Sequence, residues 1–421
     1  MSSQRPLRVG YLVQHFLPET GALPARAAEL ALRWKAAGAK VTIYTSMPHR
    51  PAGKIHPDYR GRLFINEDWE GIEVRRSWIF ATARHGLAKT LVNNASFMIT
   101  SMFGALRHHA PDVLIASAPA FFTHISGVVL GLSRRTPLVL EIRDLWPDYI
   151  VGMGVLKPGL TTRALFGLEK FLLRRAGRVV VVTESFKRRV ATKGVGLDRI
   201  DVIPNGVDLD QYYPSTEPAP HELLSRNGKN FIVGYLGNFG SGQNLLSIVD
   251  AAVILQRSEP SIRIILAGDG PERAKVVSHA AEVGATNLFL LPSFPKNATR
   301  AFYNSCDVCL VPLAPFPILQ ETVPSKIFEI MACGRPVLAS LSGEGAEIIN
   351  RSGAGLTAEP GNPVAIAAAV LRLHSMSEPE RTTMGAAGRE YVGANYNRDI
   401  LARKYLELLS AVAAQSPGSS N

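Results

Sequence analysis

Residues 8–13, Arg-Val-Gly-Tyr-Leu-Val, form a short apolar run that leads through a turn into a helix-like stretch from Pro24 to Ala37. A second apolar run at 40–45 completes a β-α-β unit. The same pattern begins again at residues 231–237, Phe-Ile-Val-Gly-Tyr-Leu-Gly. Near-continuous apolar strands of this kind indicate parallel sheets covered by helices on both faces.

The length of 421 residues allows two domains of roughly 200 residues each. Further strands are predicted at 112–117, 137–142, 178–183, 200–204, 262–268, 288–291, 308–312 and 336–339. Turn formers concentrate at 204–214, which predicts the join between the domains. We therefore expect domains at 1–204 and 205–394, a helix in 395–414 (from Asp399) that returns to the first domain, and a disordered tail at 415–421. Doubly wound domains that face each other would form a deep cleft at the carboxyl ends of their strands.

The positive charge is concentrated in the first half of the chain. Residues 1–200 hold 29 Lys and Arg against 14 Asp and Glu, a net charge of +15, whereas residues 201–421 carry −4. A basic half favours an anionic partner such as a bilayer surface, a lipid diphosphate or nucleic acid, although a solvated surface would look the same. No reader motif for nucleic acid is present. The absence of a signal-peptide pattern and of a long apolar run predicts a cytoplasmic location.

Other motifs mainly exclude functions. Cys306 and Cys309 form a C-x-x-C that is expected on a buried strand with the two side chains on opposite faces, which favours core cysteines over a redox or metal pair. Neither half contains G-x-G-x-x-G, which disfavours a dinucleotide-dependent dehydrogenase.

The segment 321–337 carries the strongest chemical signal: Glu-Thr-Val-Pro-Ser-Lys-Ile-Phe-Glu-Ile-Met-Ala-Cys-Gly-Arg-Pro-Val. Pro324 and Ser325 predict a helix start, and Gly334 predicts its end. Unpaired backbone N–H groups at that start would bind a diphosphate, and Lys326 would add positive charge. An ordinary helix with surface glutamates would show the same periodicity.

The two glutamates of this segment suit a nucleotide-sugar. Glu321 lies just before the helix and reaches the group beyond the phosphates, and Glu329 can accept hydrogen bonds from vicinal hydroxyls such as those of a ribose. This Glu-x7-Glu element resembles the donor site of family four retaining glycosyltransferases, which have the GT-B fold. Segments 204–208, 234–240 and 266–272 are similar to further family elements, in the right order and at fitting intervals.

The resemblance implies a role for each part of the donor site. Glu321 would bind the donor sugar, Glu329 the ribose, the backbone from Thr322 to Ser325 the diphosphate, and Phe294 the base. The full set of predicted nucleotide-sugar-binding residues is Gly21, Asn238, Gly240, Gln243, Gly268, Gly270, Phe294, Thr322, Val323, Pro324, Ser325 and Glu329. The family is thought to use no protein nucleophile, since the leaving diphosphate deprotonates the incoming hydroxyl. No cofactor and no metal are implied.

The chain departs from the family at one loop. Many members carry a basic pair after the first strand of the donor domain, but residues 237–245 contain no Lys or Arg. Gln243 can donate a hydrogen bond without charge, so Lys326 is expected to supply the missing positive charge.

The acceptor side is predicted from residues 137–148, which resemble the subgroup that builds bacterial surface polysaccharide, including O-antigen, on a polyprenyl-diphosphate carrier. Asp144, at a strand end, is the candidate that positions or deprotonates the acceptor hydroxyl, although it could instead cap the next turn. His15 and His124 are weaker candidates. The assignment of UDP as the nucleotide also rests on the subgroup resemblance.

Two apolar stretches with basic neighbours, 86–103 and 163–175, are typical of helices that lie on a bilayer or of helices that cover a sheet. With the basic first half they predict peripheral contact with the inner face of the plasma membrane. The alternative functions are a nucleotide-sugar epimerase of GT-B fold and a non-catalytic nucleotide-sugar-binding subunit.

Overall fold

The computed structural model describes residues 5–82, 86–118, 122–154, 156–225 and 230–415. The chain divides into two compact units. Unit 1 extends to Asn205 and also includes the segment from Asp399 onward, and unit 2 runs from Gly206 to Arg398. Within the described residues, no helix is long and apolar enough to cross a membrane.

Unit 1 is built on a sheet of eight described strands in the order β3-β4-β2-β1-β5-β6-β7-β8. The strands are β1 Arg8–Val13, β2 Lys40–Ser46, β3 Phe64–Trp69, β4 Ile72–Ser77, β5 Val113–Ala118, β6 Leu138–Ile142, β7 Arg178–Val181 and β8 Ile200–Val202. Its helices include α1 Ala22–Ala36, α2 Leu87–Leu106, α3 Phe122–Arg134, α4 Trp146–Gly152, α5 Leu160–Arg175 and α6 Glu184–Thr192. All pairs are parallel except β3 with β4. The predicted strands of this half are confirmed.

The hairpin of β3 and β4 was not predicted from the sequence. Its two strands are joined at Glu70 and Gly71, which have φ angles of 52° and 71°. Positive φ at both central residues is the requirement of a type I′ hairpin turn, and glycine meets it at the second position. The strand at the edge, β3, alternates partly buried and exposed residues, so it lacks the apolar run that marks the interior strands.

The last helix, α14 (Arg398–Ala414), packs in unit 1 against α1. The Trp34 indole Nε1 donates to the Ala402 carbonyl oxygen at 3.0 Å, and the Tyr405 ring meets the Trp34 ring edge-on at 5.2 Å between centroids. Trp34 is fully buried, and its truncation to alanine would cost about 3–5 kcal/mol. The helix starts at Arg398, since Asn395 belongs to the preceding helix; the predicted tail beyond Gln415 lies outside the described residues.

Unit 2 has a parallel sheet of six described strands in the order β11-β10-β9-β12-β13-β14. They are β9 Phe231–Leu236, β10 Ile262–Ala267, β11 Leu288–Leu291, β12 Val308–Pro312, β13 Val337–Ser340 and β14 Gly355–Ala358. The helices are α7 Leu245–Ser258, α8 Arg273–Glu282, α9 Thr299–Ser305, α10 Lys326–Ala332, α11 Glu344–Ser352, α12 Pro363–Ser375 and α13 Glu378–Asn395. The short edge strand β14 was not predicted, and the others match the sequence pattern.

The cysteine pair is buried, as expected, but the predicted orientation is wrong. Cys306 lies in the turn before β12, and its thiol interacts with that of Cys309. The strand alternation argument fails because Cys306 precedes the strand. Both cysteines are unoxidised, and burial raises the pKa of the Cys309 thiol, so the pair is inert core.

Candidate active site

Two glycine loops of unit 2 pack against each other at the carboxyl ends of β9 and β10. The Phe239 amide donates to the Asp269 carbonyl oxygen at 2.8 Å, and the Glu272 amide donates to the Phe239 carbonyl oxygen at 2.8 Å. A Cβ atom on Gly268, which has φ of 145°, would lie 1.8 Å from the Gly237 carbonyl oxygen. The predicted residue Gly268 is therefore required for backbone packing, which shapes the loop that the phosphates are expected to meet.

The other predicted loop residues are in the same place. A Cβ on Gly270 would meet the Asn238 Oδ1 at 2.6 Å, and one on Gly240 would meet the Asn238 Nδ2 at 2.7 Å. The Gln243 Oε1 accepts a hydrogen bond from the Gly240 amide at 3.2 Å. The carbonyl end of Gln243 thus supports the loop, and only its amide nitrogen remains as a donor.

Lys326, the first residue of α10, reaches this glycine loop. Its Nζ donates to the Leu236 carbonyl oxygen at 3.2 Å and lies 4.1 Å from the centroid of the Tyr235 ring. A Cβ on Gly237 would be 2.5 Å from the same Nζ. Burial lowers the pKa of Lys326 to about 8, and the charge of Glu329 opposes that shift. The side chain is thus a partly buried cation at the loop that lacks basic residues of its own.

The start of α10 offers backbone donors beside this cation. The predicted helix runs over Lys326–Ala332 with Ser325 as N-cap, and Gly334 has φ of 64° where the chain turns away. In the part of the chain that the structure describes, the amides of Val323, Ser325 and Lys326 donate to no protein acceptor. Thr322 donates back to Leu319. Pro324 contributes its ring and no donor.

Glu321 closes the short helical turn Pro317–Glu321 that precedes this segment, and the residue is partly exposed. The neighbouring Gln320 carbonyl oxygen would be 2.0 Å from a Cβ on Gly343, whose φ is 75°. Gly343, just before α11, therefore holds the backbone next to Glu321. Sequence reasoning missed this contact, although a glycine before a helix was visible.

Glu329 is fixed by two tyrosines. The Tyr303 hydroxyl donates to Glu329 Oε2 at 3.1 Å, and the Tyr212 hydroxyl also hydrogen-bonds the carboxylate. Burial raises the pKa of Glu329, while both tyrosines and Lys326 oppose the rise. A carboxylate has about four acceptor positions, so capacity for ribose hydroxyls remains. No sequence motif predicted that Tyr212 or Tyr303 would bind Glu329.

Phe294 follows β11 in the loop 292–295 and is partly exposed. Its ring packs on that of Phe302 with centroids 5.8 Å apart. Since Phe302 adjoins Tyr303, this aromatic contact connects the predicted base-binding residue to the residue that positions Glu329.

In unit 1, Gly21 precedes α1 with φ of 132° and is exposed, so the helix start is open to solvent. Behind it, the buried Glu19 carboxylate accepts hydrogen bonds from the His15 Nδ1 at 2.7 Å and from the amides of His49 and Arg50 at 2.7 and 3.0 Å. The pKa of Glu19 falls to about 2 because these donors outweigh burial. His15 is therefore occupied in holding the loop that carries Gly21.

His15, Glu19 and His49 also form a group whose ligand atoms lie close enough together to hold a metal ion. One ligand atom each of His15, Glu19 and His49 lies within 4.8 Å of the others. Burial lowers the pKa of His15, which favours a neutral imidazole. The hydrogen bonds that Glu19 already accepts satisfy the carboxylate without an ion. We therefore interpret the cluster as a support for the loop that carries Gly21.

Asp144 lies two residues after β6, on the rim of a pocket of about 10 Å³ lined also by His124, Trp146, Glu169 and Leu172. The residue is exposed, yet surrounding protein raises the pKa of its carboxyl by desolvation, with Arg143 opposing. Helix α4 begins without a side-chain cap, so the capping alternative for Asp144 is not observed. Asp144 is thus an exposed carboxyl with a raised pKa.

His124, on α3, is buried beside Asp144. Its Nε2 lies 3.2 Å from the Glu141 carbonyl oxygen, and burial lowers its pKa to about 4. An imidazole that is neutral at physiological pH and bonded to backbone suits a packing role.

Two α/β sheets, parallel apart from the β3–β4 pair, with glycine loops and a lysine-bearing helix at the strand ends of the second, fit the architecture of the GT-B glycosyltransferases. Residues 21–206 match the family described as glycosyl transferase 4-like domain, and residues 230–376 match glycosyl transferases group 1. The two matches together span most of the chain. The protein belongs to the glycosyltransferases that join these two domains.

Two curated relatives are informative. The putative colanic acid biosynthesis glycosyl transferase WcaI of Escherichia coli K12 is 25% identical over 312 residues, which cover 72% of this chain and 76% of WcaI. The probable glycosyltransferase WbjE of Pseudomonas aeruginosa is 26% identical over 283 residues, which cover 66% and 69%.

Solved structures share the fold. Sucrose-phosphate synthase of Thermosynechococcus elongatus has a TM-score of 0.76 at 19% identity, over 97% of this chain and 100% of that one. HepE of Anabaena, solved with UDP and glucose, has a TM-score of 0.70 at 18% identity, over 96% and 100%.

Proposed function

We propose that the protein is a retaining glycosyltransferase that moves a sugar from a UDP-sugar to a hydroxyl of a lipid-linked glycan in cell-surface polysaccharide synthesis. The observation that carries this proposal is the Lys326 ammonium at the Gly237 loop, on the helix whose first amides donate to no acceptor among the described residues. Donors and a cation at one point suit a diphosphate whose negative charge grows as the sugar leaves.

The donor is bound by unit 2 in this proposal. The diphosphate lies against the amides of 323–326 and Lys326, Glu321 binds the sugar, and Glu329 accepts from the ribose hydroxyls. The retaining course follows the family resemblance, with the leaving diphosphate taking the proton of the acceptor hydroxyl. Lys326 then places positive charge where negative charge develops on the leaving diphosphate. Electrostatic stabilisation of this kind is usually the largest single contribution to catalysis.

The choice of UDP is supported by the complexes of HepE with UDP and glucose and with UDP-glucose. Starch synthase IV of Arabidopsis thaliana, a fold neighbour with a TM-score of 0.71, is bound to ADP. The base is therefore the first quantity to test. The loop around Phe294 is the place where selection between uracil and adenine would act.

The acceptor is assigned to unit 1. The names of WcaI and WbjE support a polysaccharide product, and Asp144 is the exposed carboxyl that would orient the acceptor hydroxyl. Desolvation raises the pKa of this carboxyl, which makes it a better acceptor of the proton of a hydroxyl. We propose that neither a metal nor another cofactor takes part, since Lys326 and the backbone amides meet the charge of the diphosphate.

A lipid-linked acceptor is reached at a bilayer surface, and α2 has a face suited to one. Val92, Ile99, Phe103 and Leu106 are exposed and fall within an arc of about 60° on the helix. Arg107 follows at the helix end, α3 packs against α2 and exposes Leu132, and Arg135, directly after α3, is also exposed. An apolar stripe with flanking cations matches an anionic membrane surface, which we place at the inner face of the plasma membrane.

A thermal-shift screen over UDP, GDP, ADP and TDP tests the donor assignment. A ligand present at 100 times its Kd should stabilise the protein by about 2.7 kcal/mol. UDP is expected to give the largest shift. Incubation with UDP-sugars and a polyprenyl-diphosphate-linked glycan should then release UDP, and NMR of the product should show the anomeric configuration of the donor; an inverted product or no release with any donor contradicts the proposal.

Metal independence is checked in the same assay. Treatment with a chelator such as EDTA should leave the rate unchanged, and a loss that Mg²⁺ or Zn²⁺ restores would contradict it. Membrane contact is tested by co-sedimentation with vesicles of anionic or zwitterionic lipid: Phe103→Glu should abolish binding to the anionic vesicles, whereas Leu63→Glu, at an exposed apolar residue outside α2, should not. Equal binding by both variants would reject the α2 surface.

A further inference from the structure

A buried charge network lies at the end of β6 in unit 1. The Glu141 carboxylate, which is fully buried, accepts hydrogen bonds from the Tyr11 hydroxyl at 2.9 Å and from the Arg26 Nε and Nη2 at 3.1 and 2.9 Å. Arg26 also donates to the carbonyl oxygens of Ile203 and Pro204. Among these hydrogen bonds, those from Arg26 bring positive charge to the Glu141 carboxylate.

A second guanidinium stands beside this matched pair. Arg143 comes directly after β6, and its Nε and Nη1 are buried with no hydrogen-bond acceptor in the described parts of the chain. Burial and the charge of Arg26 lower the pKa of Arg143, while Glu141 and Asp144 raise it. Glu141 and Asp144 together balance the charges of Arg26 and Arg143, but the Nε and Nη1 donors of Arg143 remain without an acceptor in the described parts of the chain.

Such an arrangement is costly unless a ligand completes it. Buried polar groups are almost always hydrogen-bonded, and a buried guanidinium whose N–H groups have no acceptor destabilises a fold. Arg143 sits at the carboxyl end of a parallel strand, where open α/β sheets bind ligands, and the next residue, Asp144, is exposed. A ligand that enters from solvent could therefore supply the missing hydrogen-bond acceptor.

We propose that Arg143 binds a phosphate group of a diphosphate-bearing substrate, an assignment that rests on the proposed transferase function. The guanidinium is charged, and its two unpaired N–H donors, at Nε and Nη1, can each donate a hydrogen bond to a phosphate oxygen. The phosphate has two possible sources: the polyprenyl diphosphate of the acceptor or the diphosphate of the donor nucleotide. Proximity to Asp144 favours the acceptor.

Calorimetry on the full chain separates the two sources. Inorganic pyrophosphate is titrated into protein saturated with UDP, and UDP is titrated into the free protein, for wild type, Arg143→Gln and the exposed control Arg62→Gln. Removal of a charged hydrogen-bond donor should weaken one of the two affinities about tenfold or more, and Arg62→Gln should weaken neither. Loss of pyrophosphate binding assigns the acceptor phosphate, and loss of UDP binding assigns the donor phosphate.

Both affinities unchanged in a folded Arg143→Gln protein would overturn the assignment. If that variant does not fold, Arg143→Lys keeps the positive charge but replaces the guanidinium N–H donors, and it should still weaken one affinity several-fold. Unchanged binding by Arg143→Lys would then overturn the assignment. A wild type that binds pyrophosphate but no nucleotide would refute the proposed function and leave the Arg143 site testable.

Stability gives an independent readout. An arginine retained for a ligand destabilises the empty protein, so Arg143→Met should raise the melting temperature in the absence of ligand. A lowered melting temperature would show that Arg143 stabilises the fold through protein partners, which contradicts the site.

Discussion

The Lys326 ammonium lies 4.1 Å from the centroid of the Tyr235 ring, at the end of the strand that enters the glycine loop of unit 2. The ring face and the Leu236 carbonyl oxygen stabilise the cation in a partly buried place. Burial nevertheless lowers the pKa of Lys326 to about 8. The charge that the loop lacks is thus supplied from a neighbouring helix and held at the position where a diphosphate is expected.

Lys326→Ala should reduce kcat/KM by about 100-fold or more, because it removes the charge that stabilises the leaving diphosphate. Gln243→Ala is the matched comparison, since it removes an uncharged residue of the same loop whose Oε1 bonds the Gly240 amide. We expect a loss below about tenfold for Gln243→Ala. Steady-state kinetics with the identified donor decides; comparable losses would contradict the assignment of charge to Lys326.

UDP affinity should decrease as the pH rises through about 8. Lys326 is protonated below that pKa in the free protein, and a bound diphosphate raises the pKa, so binding takes up a proton above pH 8 and weakens by up to about tenfold per pH unit. Isothermal titration between pH 6.5 and 9.5 measures this. Lys326→Arg, which does not titrate in this range, should bind UDP with a flatter pH dependence; parallel curves for the two proteins would be inconsistent with the prediction.

Gly268→Ala should weaken UDP binding and lower the unfolding free energy, because its Cβ would lie 1.8 Å from the Gly237 carbonyl oxygen and force the loops apart. The control is Gly284→Ala: this glycine also has positive φ, 67°, but no atom lies within 4 Å of its Cβ position among the described residues. The control should lose about 1–2 kcal/mol from backbone strain and keep its UDP affinity. Urea unfolding and titration with UDP check both, and intact UDP binding in Gly268→Ala would refute the loop contact.

Tyr303→Phe should weaken UDP binding by about three- to tenfold, since Glu329 loses the hydroxyl donor that orients it and opposes the rise of its pKa. The loss should grow as the pH falls, because a Glu329 with a higher pKa becomes protonated first. Pyrophosphate binding should be unaffected, as it has no ribose. Tyr391→Phe, which removes a tyrosine hydroxyl from α13, serves as the control. An equal effect of Tyr303→Phe on the binding of UDP and of pyrophosphate would speak against ribose recognition by Glu329.

Strand positions and the helix at 326–332 were predictable for a local reason. Interior parallel strands are buried on both faces and read as apolar runs, and Pro324, Ser325 and Gly334 mark the helix ends by backbone preference. The hairpin of β3 and β4 was not predicted, because an edge strand needs no apolar run. The orientation of Cys306 was wrong because one residue outside the strand breaks the alternation.

The sequence by itself determined the fold class, the strands other than β3, β4 and β14, and the glycosyltransferase element, since these depend on local periodicity and on a motif whose residues are close in the chain. Only the tertiary structure decided the partners: Lys326 with Tyr235, Glu329 with Tyr303, Glu19 with the His49 amide, and the Arg143 Nε and Nη1 with no acceptor among the described residues. Most of these pairs are 26 or more residues apart. Hydrogen bonds and charges act over a few ångströms in space, and no periodicity along the chain encodes which distant residues the fold brings that close.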